Sequence, residues 1–559
     1  MLYRLGEYLL KLKLKTKPMR KLLTFFASIF ITGSLLAGGI VTNTNQSAAW
    51  VRLPSRNAST GFDAVYFNPA GLMKLENGFH VSISNQSILQ NRIVKNYYAG
   101  PGGSYGLNQH TYKGTVNAPI FPSIYGVYKM DKFAFSIGFN PIGGGGGAEF
   151  KKGLPSFEMS PSDLVPSLQA SMGADAYRLD AYFKGSSTFM GYQANASYKI
   201  NDWISVAVGL RLVTAKNTYE GHLQDIEVEL PGGWTRADDI MNGIAAGATG
   251  AASATTGLVA AGAGSLTLAQ VQGAGYITAT QRAQLEGALT SFGYPVGVPV
   301  AQADAIFKGA AAKYTATATL LGDQTANVSQ TGTGITPIIS VNFSPSENLN
   351  IAVKYEMATK IELTNKTKQD LLVAFDADGA PITMFPNGDK TRNDMPAMIS
   401  VGLDYKLSSN LKLSLGSNYY FDKTANYGHK YDNDLISATP TIPIANKDII
   451  SKNGMSVQGG LEYNVSEKLL VSCGYTYSNQ GVNKLYQSDI SYFLASHTFG
   501  IGGAYSFTDK IQVNLGLGYT RYKGNSKIID HVMGSSLYQA VESYGKSTKM
   551  IGVGVDFSF

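Results

Sequence analysis

Six histidines (His80, His110, His222, His429, His497 and His531) and one cysteine (Cys473) are the obvious candidates for acid–base, nucleophilic or metal chemistry in this 559-residue chain. They are scattered, and none falls in an H-E-x-x-H, G-x-S-x-G or Walker pattern. A hydrolase of barrel type needs a Ser/His/Asp or Asp/His set gathered at one rim, and this spacing supplies none, so the sequence points away from an enzyme. A lone cysteine excludes an internal disulfide and a paired-cysteine metal site. Cys473 reads as a small apolar strand residue. No metal and no cofactor is implied.

The polar residues that do show a pattern alternate with apolar ones. In QVNLGLGYT, Val513, Leu515, Leu517 and Tyr519 share one face; Gln512, Asn514, Gly516, Gly518 and Thr520 share the other. Lys412, Ser414, Gly416 and Asn418 alternate in the same way, as do Ala352, Lys354 and Glu356. Such a face is small and polar with occasional charges. It suits the lining of a lumen with room inside it, while the opposite face suits lipid.

Those residues require strands to position them. Period-2 alternation between polar turns predicts fourteen strands, near 79–90, 118–129, 132–140, 186–200, 203–217, 313–343, 349–363, 391–406, 410–424, 455–465, 468–479, 496–507, 511–524 and 546–559. Short turns, such as Met130-Asp131-Lys132, Asn201-Asp202 and Thr508-Asp509-Lys510, largely alternate with long stretches. An even strand count with short turns on one side is the asymmetry of an all-β, closed antiparallel transmembrane barrel, whose closure removes the strand edges that lipid cannot satisfy. In the final strand Ile551, Val553, Val555, Phe557 and Phe559 line up on one face, and a terminal Phe is the signature expected for outer-membrane assembly machinery.

Composition agrees. Gly 62, Tyr 33 and Phe 25 stand beside only 15% charged residues, with mean hydropathy −0.05. The net charge of +7 is mostly N-terminal, because residues 1–36 carry seven basic side chains against Glu7 and leave about +1 for the rest. A nucleic-acid binder would need a basic face. Residues 22–41 are uncharged and follow KLKLKTKPMRK, which predicts a signal peptide over 1–37, with cleavage near Ala37–Gly38 and Met19 as an alternative start; a membrane anchor also fits that length. Residues 229–312 are Ala/Gly-rich, and TATQRAQLEGALTSFG has helical spacing with Thr278 or Thr280 as cap, so an extracellular loop with short helices is expected.

Between the apolar leader and the first strand, residues 38–78 neither alternate nor form a strong amphipathic pattern. Ser59 to Gly61, Asp63-Ala64 and above all Phe67-Asn68-Pro69-Ala70-Gly71-Leu72 resemble the N-terminal hatch of the FadL family of outer-membrane transporters for long-chain fatty acids and other hydrophobic compounds (OMPP1/FadL/TodX). Pro122 to Tyr125, AFSIGFNPIGGGGG and Phe559 extend the likeness over most of the chain; residues 229–312 fit worst. The resemblance implies a monomeric outer-membrane barrel over 79–559 with periplasmic termini. The hatch (Phe67, Asn68, Pro69, Ala70 and Gly71) would lie in the lumen, and fatty acids or similar molecules would leave sideways through the wall. Family members open at a kink in the third strand, where this chain has Asn140-Pro141 and Gly143 to Gly147, so Asn140, Pro141, Gly143 and Gly144 are the candidates. A branch of the family labelled hemin receptor also resembles this hatch. Heme would need an axial His or Tyr, for which His80 and His497 are the candidates.

Overall fold

The computed structural model describes residues 42, 45–376, 378–426, 450–484, 487–533 and 536–559. The signal-peptide segment 1–37, its cleavage point and residues 38–41 of the expected hatch lie outside them.

An inner segment comes first. It contains α1 (Ala48–Arg52), α2 (Ala64–Phe67) and a 3-10 turn, Pro69–Lys74. Ser47 caps α1, its hydroxyl accepting from the Trp50 amide at 2.9 Å. Pro69 opens the 3-10 turn, where its missing N–H costs nothing.

Fourteen antiparallel strands follow and close on themselves. They are β1 (Gly78–Tyr98), β2 (Thr111–Met130), β3 (Phe133–Phe150), β4 (Ala176–Lys199) and β5 (Ile204–Leu230). Next come β6 (Gln324–Ser346), β7 (Leu349–Glu356), β8 (Met398–Lys406) and β9 (Leu411–Tyr420). The circuit ends with β10 (Gly454–Asn464), β11 (Leu469–Asn479), β12 (Ser496–Thr508), β13 (Ile511–Tyr522) and β14 (Ser536–Ser558). β14 returns to β1 in unbroken register from Ser558–His80 to Ala540–Tyr98. Outside the circuit, short strands such as Glu362–Gln369, Lys390–Arg392 and Asn525–Met533 lengthen the wall at the long-loop end.

Alternation sorts the two faces as the sequence predicts. Phe499, Ile501, Leu515, Leu517, Ile551 and Val553 stand outward and exposed, while Ser414, Asn418, Asn514 and Thr520 are buried inside. In water the outer band would be a large apolar liability; against hydrocarbon it is the required surface. The barrel is built to span a membrane.

Five strand expectations change, two of them at strand starts: the expected 391–406 begins at Met398 and the expected 546–559 at Ser536. The sixth strand starts at Gln324, because Lys313–Leu321 completes a helix whose Ala318 and Leu321 pack into the apolar cluster at the long-loop end. The expected strand 349–363 breaks after Glu356 and resumes at Glu362. The early strands run well past their expected ends, β1 to Tyr98 and β3 to Phe150.

Two structures cover the long-loop end. α3 (Pro155–Met172) packs with Tyr98, Tyr112, Phe183, Tyr219, Tyr492 and Tyr544 in an apolar cap. The 229–312 region holds α4 (Ala237–Leu258), α5 (Leu268–Gly273), α6 (Ala279–Ser291) and α7 (Val300–Leu321). Thr278 caps α6 through a reciprocal box with Gln281, and α4 and α7 are longer than the short helices expected.

Candidate functional site

The inner segment occupies the lumen beside the short turns and is tied to the wall on all sides. Its backbone carbonyls accept from inward-facing wall side chains. Ser197 and Ser205 donate to the Pro69 and Ala70 carbonyls at 2.7 Å each, Lys354 to Tyr66 at 2.7 Å and Thr476 to Pro54 at 2.7 Å. Gln193 donates to Val65 at 2.8 Å, and Asn350 to Ala58 at 2.9 Å. These bonds matter because α1 and α2 are too short to satisfy their own chain ends.

Charged pairs hold it further. Arg52 meets Glu462 at 2.7 Å and donates to Asn514 and Ser472. Arg56 and Asp63 pair at 2.7 Å within the segment. Burial alone would raise the Asp63 pKa, but Arg56 and the Ser59 and Ser47 hydroxyls hold it below the ordinary carboxylate value. On the wall, Glu356 is shared by Arg211 at 2.7 Å and Lys354 at 2.7 Å, and both cations lie against the Tyr66 ring.

Each hatch candidate sits within this contact. Phe67 is buried edge-on to Tyr66. Asn68 is fully buried; its amide donates to the Ser59 carbonyl at 3.1 Å and to Asn342 of β6 at 2.7 Å. The Pro69 carbonyl is bound by Ser197, and the Ala70 amide donates to Ser340 at 2.8 Å. Gly71 is packed within the segment itself: an added Cβ would lie 2.4 Å from Asn68 Nδ2 and 2.6 Å from the Ser59 carbonyl oxygen.

Above the segment the lumen widens into a cavity of about 360 Å³ reaching up to the cap. Trp50 and Asn45 line its floor, and Phe121, Gly144 and Ala148 line one side. That side is where the wall is incomplete. β2 and β3 pair from Met130–Phe133 up to Ile124–Phe139 and again from Val116–Ala148 to Gly114–Phe150, but not between. Residues 117–123 face 140–147 across the break, and Pro119, Pro122 and Pro141 lack the donors a ladder would need. Asn85 of β1 steadies the β2 edge, donating to the Pro119 carbonyl and accepting from the Phe121 amide.

The four wall candidates border this break. Asn140 is buried and donates to Gln46 of the inner segment at 2.6 Å. Pro141, Gly143 and Gly144 still pair with β4, with register shifts on either side of Gly143 and Gly144. Gly144 has φ +75, and a Cβ there would lie 2.0 Å from the Ser187 carbonyl oxygen, so glycine is required. The sequence singled out β3 through Asn140-Pro141 and its glycines, but the ladder bonds absent beside them are those to β2, whose signal was Pro119 and Pro122.

The two histidines weighed for heme do not line this cavity. His80 is buried near the short turns, with both ring nitrogens hydrogen-bonded, to Ser558 and to the Glu76 carbonyl. His497 lies on the outward face of β12 against Tyr475 and Tyr477.

No protein-family model matches the chain, and no curated protein sequence matches it. Solved structures do. A FadL homologue from Pseudomonas aeruginosa superposes with a TM-score of 0.54 at 11% identity, covering 93% of this chain and 100% of its own. The chain has the FadL-type barrel fold. The toluene transporter TodX from Pseudomonas putida aligns at TM-score 0.48 and 12% identity, over 93% and 100%. The toluene transporter TbuX from Ralstonia pickettii aligns at 0.43 and 13%, over 89% and 94%. Within this FadL-type barrel, the segment carrying Asn68 fills the lumen below the cavity, and the break between β2 and β3 opens beside it.

Proposed function

We propose that this protein is an outer-membrane channel for the passive uptake of hydrophobic molecules such as long-chain fatty acids, and not an enzyme. Residues 38–78 serve as a hatch that blocks the straight path, and the ligand leaves sideways between β2 and β3. The carrying observation is the pairing gap between residues 117–123 and 140–147, placed against a lumen cavity whose floor is closed. A solute in that cavity meets a wall without its hydrogen-bond ladder on one side and a densely bonded segment below.

Supporting this reading are the apolar outer belt, the predicted signal peptide over 1–37 and the terminal Phe559. The short turns and both termini of the mature protein are then periplasmic, and the helical region 237–321 is extracellular. Heme is the weaker reading, since His80 has both nitrogens occupied and His497 faces outward.

The test is a reversible lock. Asn117→Cys with Gly147→Cys, in a Cys473→Ala background, places a thiol pair at the upper edge of the gap, next to the paired Val116 and Ala148. In outer membranes lacking another fatty acid channel, labelled oleate should enter through the reduced protein. Oxidation should abolish most of that uptake, and reductant should restore it. Full uptake by fully cross-linked protein would exclude exit between β2 and β3.

A further inference from the structure

On the outside of the wall, β13 and β14 carry cations with no acid beside them. Arg521 stands opposite His497 of β12 and Ser547 of β14, and Lys549 stands opposite Tyr519. Arg521 and Lys549 are therefore diagonal neighbours, about 7–8 Å apart, and Lys523 follows just past the end of β13. All three are exposed, and among the described residues none has an ion-pair partner or a side-chain hydrogen bond. The first exposed carboxylate further up this wall, Asp530, is opposite Gln539, roughly 26 Å along β14 from Ser547.

Around β4, β5 and the short strands beyond them, the outer charges come with partners. His222 meets Asp180 at 3.1 Å, Lys390 meets Glu362 at 3.0 Å, Arg178 pairs with Glu227, and Lys184 stands opposite Glu220. Neighbouring like charges on a sheet repel one another, so the Arg521 cluster calls for an anion from outside the chain. Its height says which anion meets it. From Ile511 at the short-turn end, β13 climbs roughly 25 Å to Arg521 at about 3.3 Å per residue and a tilt near 40°. An apolar band is about 25 Å tall, so the cluster stands at its upper edge. Directly below, Leu515, Leu517 and Ile551 are exposed, with Tyr519 and Tyr475 where an aromatic girdle belongs. The Tyr475 hydroxyl lies 2.7 Å from His497 Nδ1 and holds that ring beside Arg521.

We infer that Arg521, Lys523 and Lys549 form an external site for the phosphorylated head group of an outer-leaflet lipid, whose acyl chains lie on Leu515, Leu517 and Ile551. A soluble anion would meet only exposed cations in water, where each contact is weak. A lipid adds its chains on the apolar belt immediately below and is confined to the height at which the cations stand. The planar Arg521 guanidinium can take two phosphate oxygens at once, and the lysines add point charges. The site rests on the orientation proposed above, with the short turns periplasmic, and is independent of what the lumen carries.

Full-length barrel purified in a neutral detergent, with chelator present, should bind lipid A carrying both phosphates more tightly than the same lipid stripped of phosphate. Each cation at an anionic membrane surface is worth about fivefold, so the preference should reach about tenfold or more. Arg521→Gln/Lys523→Gln/Lys549→Gln should lose it, while Lys184→Gln/Lys216→Gln on β4 and β5 should keep it. Equal binding of the two lipids by the unaltered protein would overturn the site, and so would a triple variant that assembles and still prefers the phosphorylated lipid. Inorganic phosphate in excess should leave the lipid in place; complete displacement would make this a site for soluble anions and overturn the lipid assignment. The readout is bound lipid, so a failure of oleate uptake would count against the channel and leave this site standing. The comparison of the two lipids needs no substitution and decides the matter even if the triple variant fails to assemble.

Discussion

At the scale of single residues, Asn68 is where the inner segment meets the wall. Its amide joins the Ser59 carbonyl to Asn342, so Asn68→Ala leaves two buried acceptors without this donor and should weaken the segment by about 1–3 kcal/mol. Faster hydrogen exchange over 59–72, in a barrel that still resists heat in gel mobility, is the expected readout. Gly71→Ala should do at least as much harm, because its Cβ would overlap Asn68 and the Ser59 carbonyl, and overpacking of this kind costs about 1–3 kcal/mol. Unchanged exchange in both variants would remove the segment from any gating role. Asp422 supplies a pH dependence. It lies in the loop after β9, where burial pushes its pKa up to about 7 against the backbone donors Gly481 and Gly454. A carboxyl raised in the fold holds its proton there while the unfolded chain has lost it, so stability falls as pH rises from the ordinary carboxylate range towards 7. Protection of 421–426 should therefore be greater at pH 5 than at pH 8, and Asp422→Asn should flatten the profile. The Asn68 motif stood out in the sequence by its likeness to a family segment; its partners did not, since Asn342 lies 274 positions away.

At the scale of elements, two features depart from a plain ladder. The helical excursion from α4 to α7 has its own apolar core, with Leu258, Leu268, Leu289 and Phe307, separate from the cap residues Ile240, Met241 and Leu321. Replacing 246–312 with a short Gly/Ser turn should leave barrel assembly and thermal resistance unchanged, and loss of assembly would show that the excursion supports the wall. Helices in this region were readable from Thr278 and the spacing after it. The extent of α7 was not, because Ala- and Thr-rich sequence next to a strand fits either structure until the cap packs on one side. The gap between β2 and β3 was half readable. Proline announces a missing donor, but which neighbouring strand loses its partner depends on register, and register belongs to the assembled sheet.

At the scale of the whole molecule, alternation alone was enough to predict a fourteen-strand closed barrel, because every strand repeats the same inside–outside code. The code is testable. Leu515 points outward and is half exposed, so Leu515→Arg at mid-bilayer depth should destabilise the barrel by about 2–4 kcal/mol. Equal stability of Leu515→Arg and the parent in lipid vesicles would contradict the membrane assignment of that face. Strand length carries a separate consequence. β5 runs for 27 residues, and at about 3.3 Å per residue with a tilt near 40° it climbs roughly 70 Å, against a hydrocarbon core of about 30 Å. More than half of that wall therefore stands beyond the hydrocarbon core, like a chimney. On the channel proposed above, an oily molecule taken in at its mouth would descend inside protein through the hydrated layer outside the cell, and would touch lipid only once level with the membrane.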